Sequence, residues 1–259
     1  MKPLRLLGAA ALAALSLSAN ALGHMADVTI FDRASGRELP VYWHEGRAYV
    51  VGRPGNEYQV VLRNRRGEDL LAVVSVDGVN VLSGETAGTS QGGYVLSPWR
   101  RMDIRGWRKS LDDIAAFYFT SLGDSYAART DRPQNVGVIG VALFQRKRFE
   151  PRYEEAVPEA RYMQPKRESG DKLQSAPAEA QGSAQAPAPS APLGTGHGRR
   201  EESRVQWTQF ERASEQPAET IAIYYDSYRN LVARGILQSP GGPRDPNPFP
   251  TAFAPNPWR

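Results

Sequence analysis

Between residues 27 and 144 the apolar positions come in short runs rich in Val, Ile, Tyr and Phe, punctuated by Gly, Pro, Asn and Asp. β-Branched and aromatic side chains fit a pleated, half-buried surface, so such runs predict strands. The pattern places them over residues 27–32, 39–43, 47–51, 58–64, 70–76, 79–82, 94–96, 115–120 and 136–144. Turns fit between them. His44-Glu45-Gly46, Arg53-Pro54-Gly55-Asn56 and Arg65-Arg66-Gly67-Glu68 each supply turn residues, and Asp77-Gly78 is a pair that type I′ hairpins favour. Tyr58, Val60 and Leu62 alternate with Gln59 and Arg63, as in a strand with one buried face, whereas 70–76 and 136–144 are apolar on both faces and belong at the centre of a sheet. Gly137 and Gly140 leave room there for a close approach. Helical signals are slight: Ser110-Leu111-Asp112-Asp113 suits one capped turn, and residues 125–129 another. The expected fold class is all-β, an antiparallel β-sandwich or jelly-roll-like domain over 27–148.

Beyond residue 148 the grammar changes. Residues 149–203 are first densely charged and then almost wholly Ala, Pro, Ser, Gln and Gly, a composition that buries too little surface to offset chain entropy; a disordered linker is expected. Residues 204–238 read as ββα: strands at 205–210 and 220–225, then a helix over 227–233 with Asp226 as N-cap and Gly235 past its end. So short a piece has no independent core without disulfides or metal, so it is expected to dock on the sandwich and extend a sheet edge. Residues 239–259 form a Pro-rich tail.

Residues 1–21 read as a Sec-type signal peptide: Lys2 and Arg5 precede an apolar core over 6–17, and Ala19-Asn20-Ala21 offers the small-x-small cleavage site, with Ala26 the alternative end. The apolar core is too short to span a bilayer, which takes about 20 residues, and no later stretch qualifies, so no transmembrane segment is expected after cleavage. Removing Lys2 and Arg5 takes the formal charge from +4 to +2, which argues against a nucleic-acid partner. The chain has no cysteine. That excludes a disulfide framework, a thiolate metal site, a cysteine nucleophile and a lipoprotein anchor. The expected address is the periplasm or the exterior of a Gram-negative cell.

Catalytic motifs fare poorly. Gly88-Thr89-Ser90-Gln91-Gly92 matches the nucleophile elbow of serine hydrolases but runs into a strand instead of a helix, so a hairpin loop is expected. His24, His44 and His197 have no metal-ligand spacing, and neither metal nor cofactor is expected. Gly194 to Arg200, a glycine-rich run around His197, suits a flexible junction better than an anion-cradling nest. The sharpest local feature is Trp99, Arg100, Arg101, Arg105, Trp107, Arg108 and Lys109, with Asp103 the single acid among them. Guanidinium groups beside indoles suit stacking on sugars and pairing with phosphate or sulfate. These seven residues are the expected ligand site, in a long loop between strands.

Taken together, Ser75-Val76-Asp77-Gly78-Val79-Asn80-Val81, Gly93-Tyr94-Val95, Gly106-Trp107-Arg108, Phe117-Tyr118-Phe119-Thr120, Ser125-Tyr126-Ala127-Ala128 and the run from Asn135 to Ala142 resemble an uncharacterised family of exported proteobacterial proteins. The resemblance spans about residues 27–147 and extends to Gly194–Arg200 and 220–236. It implies an envelope location and supplies no activity. Three functions are therefore expected in descending order: a non-enzymatic protein binding an anionic glycan, lipid or protein partner of the envelope; a glycan-acting hydrolase or lyase; and an adaptor whose sheet edge accepts a partner strand.

Overall fold

The computed structural model describes residues 22–148 and 191–238. The expected signal peptide, residues 149–190 of the expected linker and the Pro-rich tail lie outside the described residues. Among the described residues fourteen strands assemble into two seven-stranded sheets. The chain runs β1 (Ala26–Asp32), β2 (Arg37–Glu38), β3 (Tyr42–His44), β4 (Arg47–Gly52), β5 (Glu57–Asn64), β6 (Leu70–Val76), β7 (Val79–Asn80), β8 (Tyr94–Leu96), β9 (Arg101–Ile104), β10 (Gly106–Arg108) and β11 (Asp113–Ser121). A short helix α1 (Tyr126–Arg129), β12 (Val138–Gln145), β13 (Leu193–Glu202), β14 (Glu219–Ser227) and helix α2 (Tyr228–Ala233) complete it.

In the first sheet β5 pairs with β1 on one side and with β9 and β11 on the other; β2 extends β1, β10 extends along β11, and β13 lies against β11. The second sheet runs β3-β4-β14-β12-β6-β7, with β8 also on β6. The inward residues of both sheets meet in one core that includes Ile30, Val60, Leu62, Val74, Phe117, Phe119, Val141 and Ile223. The chain is an all-β sandwich with a C-terminal ββα portion, β13-β14-α2. Among the described residues no helix is long and apolar enough to cross a membrane.

Local turn chemistry behaves as read. Glu45 and Gly46 (φ +48° and +72°) and Asp77 and Gly78 (φ +53° and +73°) both take the left-handed pair that a type I′ hairpin requires. β6 and β12 are central and buried on both faces, because the segment after β13 crosses the outer face of the second sheet. There Phe210 packs beside Leu71, Val73, Ala142 and Phe144. The Arg212 guanidinium sits 4.0 Å from the Phe144 ring centroid and donates to the Thr89 and Gln91 carbonyls.

Four readings need correction. Residues 193–202 are not linker but strand β13, bonded along β11 from Ser121 to Asp113. Residues 205–210 form no strand; they are the strap over Leu71 and Phe144. The N-cap of α2 is Ser227, whose hydroxyl accepts from the Asn230 amide, while Asp226 is buried and accepts from Leu193 and Ser227 amides and the Asn230 carboxamide. The piece at 204–238 docks on the sandwich but extends no edge: its strand β14 inserts between β4 and β12, parallel to β4 and antiparallel to β12, and the edge strand is β13, from the expected linker. The second sheet is thus incomplete without β14.

A buried polar knot holds these late strands to the early ones. Asp77, at the β6-β7 turn and fully buried, accepts from the Gly137 amide (2.9 Å) through Oδ1 and from the Thr195 amide (2.7 Å) through Oδ2. The Tyr225 hydroxyl donates to the same carboxylate. The Thr195 hydroxyl lies 2.6 Å from both the Tyr225 and Tyr58 hydroxyls. Burial pushes the Asp77 carboxyl up to about 6, against the lowering effect of its hydrogen bonds from Tyr225, Gly137, Thr195 and Val138. The knot is closed to solvent, so its consequence is assembly of β6, β12, β13 and β14, not chemistry.

Candidate functional site

The seven expected ligand residues do not form one loop or one patch. Most of the segment is strand, β9 and β10, and strand geometry sends successive side chains to opposite faces. Trp99 is 65% exposed and Arg100 lies beside it on the surface. Arg101 pairs with Asp103 at 2.8 Å. Arg105 reaches Glu201, a carboxylate already clamped by Arg33 (2.8 Å) and Arg199 (2.7 Å), and donates to the Glu202 carbonyl. Arg108 is spent on the Ser203 hydroxyl and carbonyl and the Tyr94 hydroxyl. Trp107, expected at the surface, is 2% exposed and belongs to the core.

Trp107 nevertheless founds a site that involves residues the sequence kept apart. Its ring lies 4.8 Å from Phe117, edge-on, and 4.8 Å from Tyr126. His197 stacks over it, nearly parallel at 9° and 6.4 Å between centroids, and lies 5.4 Å from Tyr126. The register explains the meeting: Trp107 faces Ala115, His197 faces Phe117 two residues on, and both side chains point toward the sandwich end that α1 closes.

Two cations lie near His197. Lys109 follows β10 directly, in the bend where the chain leaves the strand, near enough to His197 for its charge to act on the imidazole. Arg129 is three residues beyond Tyr126 on α1, hence on the same helix face. Both are exposed, and their side chains make no ion pair or hydrogen bond among the described residues. Partial burial holds the His197 imidazole below its ordinary range, with the nearby Lys109 and Arg129 charges acting in the same direction. Arg132 completes the rim, its guanidinium 6.0 Å from the Tyr126 ring and bonded to the Gly84 carbonyl. An aromatic platform ringed by cations that have no counter-charge can take an anion. Of the expected residues, only Lys109 and Trp107 are part of it. Tyr126, Arg129 and His197 were not legible because their proximity depends on β13 adding to β11.

Other expected chemistry falls elsewhere. Residues 88–92 form a loop leading into β8, organised by the Gln91 carboxamide, which accepts from Asn80 and the Gly88 amide. Among the described residues no three His, Asp or Glu side chains gather as a metal site. A groove of about 140 Å³ between β9-β10 and residues 203–205 contains Arg105, Arg108 and Asp103, and another of about 310 Å³ lies where β3-β4 meets the start of β14, with Glu219 its single carboxylate. Neither faces two carboxylates across a cleft, the arrangement glycan hydrolysis uses. No protein-family model, curated protein or solved structure matches this chain.

Proposed function

We propose that this protein is an exported, non-enzymatic β-sandwich binding module of a Gram-negative cell envelope, and that it takes an anionic envelope component where Lys109, Arg129 and His197 surround Tyr126. The signal-like residues 1–21 and the resemblance to exported proteobacterial proteins support the address. The observation that carries the function is the pair of uncompensated cations, Lys109 and Arg129, bracketing an imidazole stacked on aromatic rings. Exposed cations without an internal partner keep their charge free for a ligand, and a phosphate, sulfate or carboxylate gains charge-assisted hydrogen bonds from both at once. The adaptor reading finds less support. β13 has β11 as its sole strand partner among the described residues. But its bulge and the charges Arg199, Arg200, Glu201 and Glu202 are features that keep edge strands from accepting foreign strands.

Calorimetric titration of the purified protein with lipopolysaccharide micelles tests this reading. Changing Lys109→Ala and Arg129→Ala together should weaken binding at least about tenfold, as expected for losing two charge-assisted contacts, while Arg100→Ala with Arg101→Ala should leave it nearly unchanged. Equal binding by wild type and the Lys109/Arg129 variant, or loss confined to the Arg100/Arg101 variant, would overturn it.

A further inference from the structure

Residues 22–26 lead into β1 and are built firmly into the fold. The Leu22 amide donates to the Val28 carbonyl at 3.0 Å and the Val28 amide to the Leu22 carbonyl at 2.8 Å, so the chain closes a tight hook in front of the strand. Gly23 makes the bend. Its φ is +111°, and a Cβ there would collide with the Ala26 carbonyl and the Ile221 Cδ1. The hook is fastened to both sheets. On the first, the Met25 carbonyl accepts from the Arg65 amide at 2.9 Å, beside the pairing of Ala26 with Asn64 of β5. On the second, the Glu219 carboxylate at the start of β14 accepts the His24 amide through Oε1 and the Met25 amide through Oε2, both at 2.7 Å. The Leu22, Met25 and Ala26 side chains are buried and belong to the shared core.

These contacts decide between the two cleavage positions that the sequence offers. A cut after Ala26 discards the whole hook. It takes the Leu22 and Met25 side chains out of the core, leaves the Glu219 carboxylate without its two amides, and orphans the amide and carbonyl of Val28, a fully buried residue. Buried backbone groups left without partners are unfavourable well beyond the bond itself. A cut after Ala21 keeps every one of these contacts. The Leu22 nitrogen then becomes an ammonium, a stronger donor to the same Val28 carbonyl. Resting on the exported reading above, we propose that signal removal cuts after Ala21, and that residues 22–25 are the N-terminal hook of the mature protein, tying β1 to β14.

Expression of the full chain in a Gram-negative host, with intact mass and N-terminal sequencing of the product, tests the cut. The expected first residue is Leu22. A product beginning at Asp27, or at any other residue beyond Met1, would overturn the assigned cut while leaving export intact; a product that keeps Met1 would overturn both. The hook is tested apart from export, with chains released from a cleavable fusion so that they begin at Leu22 or at Asp27. The Asp27 chain should fail to fold or melt at least about 5 °C lower, the shift that losing the burial of Leu22 and Met25 produces in a chain of this size. Within the Leu22 chain, Gly23→Ala should lower the melting temperature, and Glu219→Gln should do so because one amide then faces an NH₂ group. Glu219→Gln should leave a folded Asp27 chain unmoved. Equal melting of the Leu22 and Asp27 chains, or of Gly23→Ala and its parent, would overturn the hook whatever the cleavage result.

Discussion

Asp77→Asn probes the knot that joins the first half of the chain to the last. The backbone at 77 has φ +53°, which Asn tolerates, so the substitution adds no turn strain. It does change the hydrogen-bond count. The carboxylate accepts from two amides, Gly137 and Thr195, and from the Tyr225 hydroxyl. A carboxamide offers one accepting oxygen, so in either orientation one buried amide faces an NH₂ group, a mismatch of about 1–3 kcal/mol. Against that loss stands the removal of a buried charge. Burial raises the Asp77 carboxyl from an ordinary 3.8 to about 6, so wild type is most stable when Asp77 is protonated and loses stability as pH rises through that interval. The full difference is about 3 kcal/mol, at about 1.36 kcal/mol per pH unit. About 2 kcal/mol of it falls between pH 4.5 and 7.5. The variant lacks this dependence. Its deficit relative to wild type should therefore be largest at pH 4.5 and shrink by about 2 kcal/mol by pH 7.5. Urea unfolding of both proteins at the two pH values, followed by tryptophan fluorescence, measures this directly. A deficit that is constant with pH, or grows toward pH 7.5, would refute the reasoning.

Two further predictions concern the cation cluster. Trp107→Ala removes a fully packed indole and should destabilise the fold by about 3–5 kcal/mol in urea melts. The buried indole Nε1 has no partner among the described residues, so Trp107→Phe forgoes no hydrogen bond and should lose much less; equal losses would show the indole nitrogen to be bonded. His197 should respond to acid. Burial and the Lys109 and Arg129 charges lower it, and protonation below that lowered range adds a third positive charge beside them, so lipopolysaccharide should bind more tightly as the pH is brought down through the range where the His197 ring is seen to titrate. Binding that is flat with pH, or a His197 ring titration unmoved by the ligand, would remove the imidazole from the site.

Most of the first sheet's inner strands and the centre of the second were legible in the chain itself. Alternation over Tyr58–Leu62, the two-faced apolar runs at β6 and β12, and left-handed pairs at Glu45-Gly46 and Asp77-Gly78 are consequences of side-chain chemistry within a few residues. β9 and β10 were hidden because their charges looked like loop. In the structure, Arg101, Arg105 and Arg108 have partners that lie close only after folding: Asp103, Glu201 and Ser203. β13 was hidden for a complementary reason: Gly194, Gly196 and Gly198 carry little strand propensity, yet their missing Cβ atoms are what lets the strand lie against Ser125, Tyr118 and Ala116.

The sequence by itself determined the class of fold, the turns and the absence of cysteine, since each depends on residue type or local periodicity. Tertiary structure decided that β14 completes the second sheet, that Trp107 is buried, and that Lys109, Arg129 and His197 share one surface. Those outcomes depend on hydrogen-bonded register between strands more than 70 residues apart in the chain, as between Ala115 and Arg200 or Ile139 and Ile223. Local pattern carries no term for such pairing. Only burial of the shared core and closure of the Asp77 knot select it.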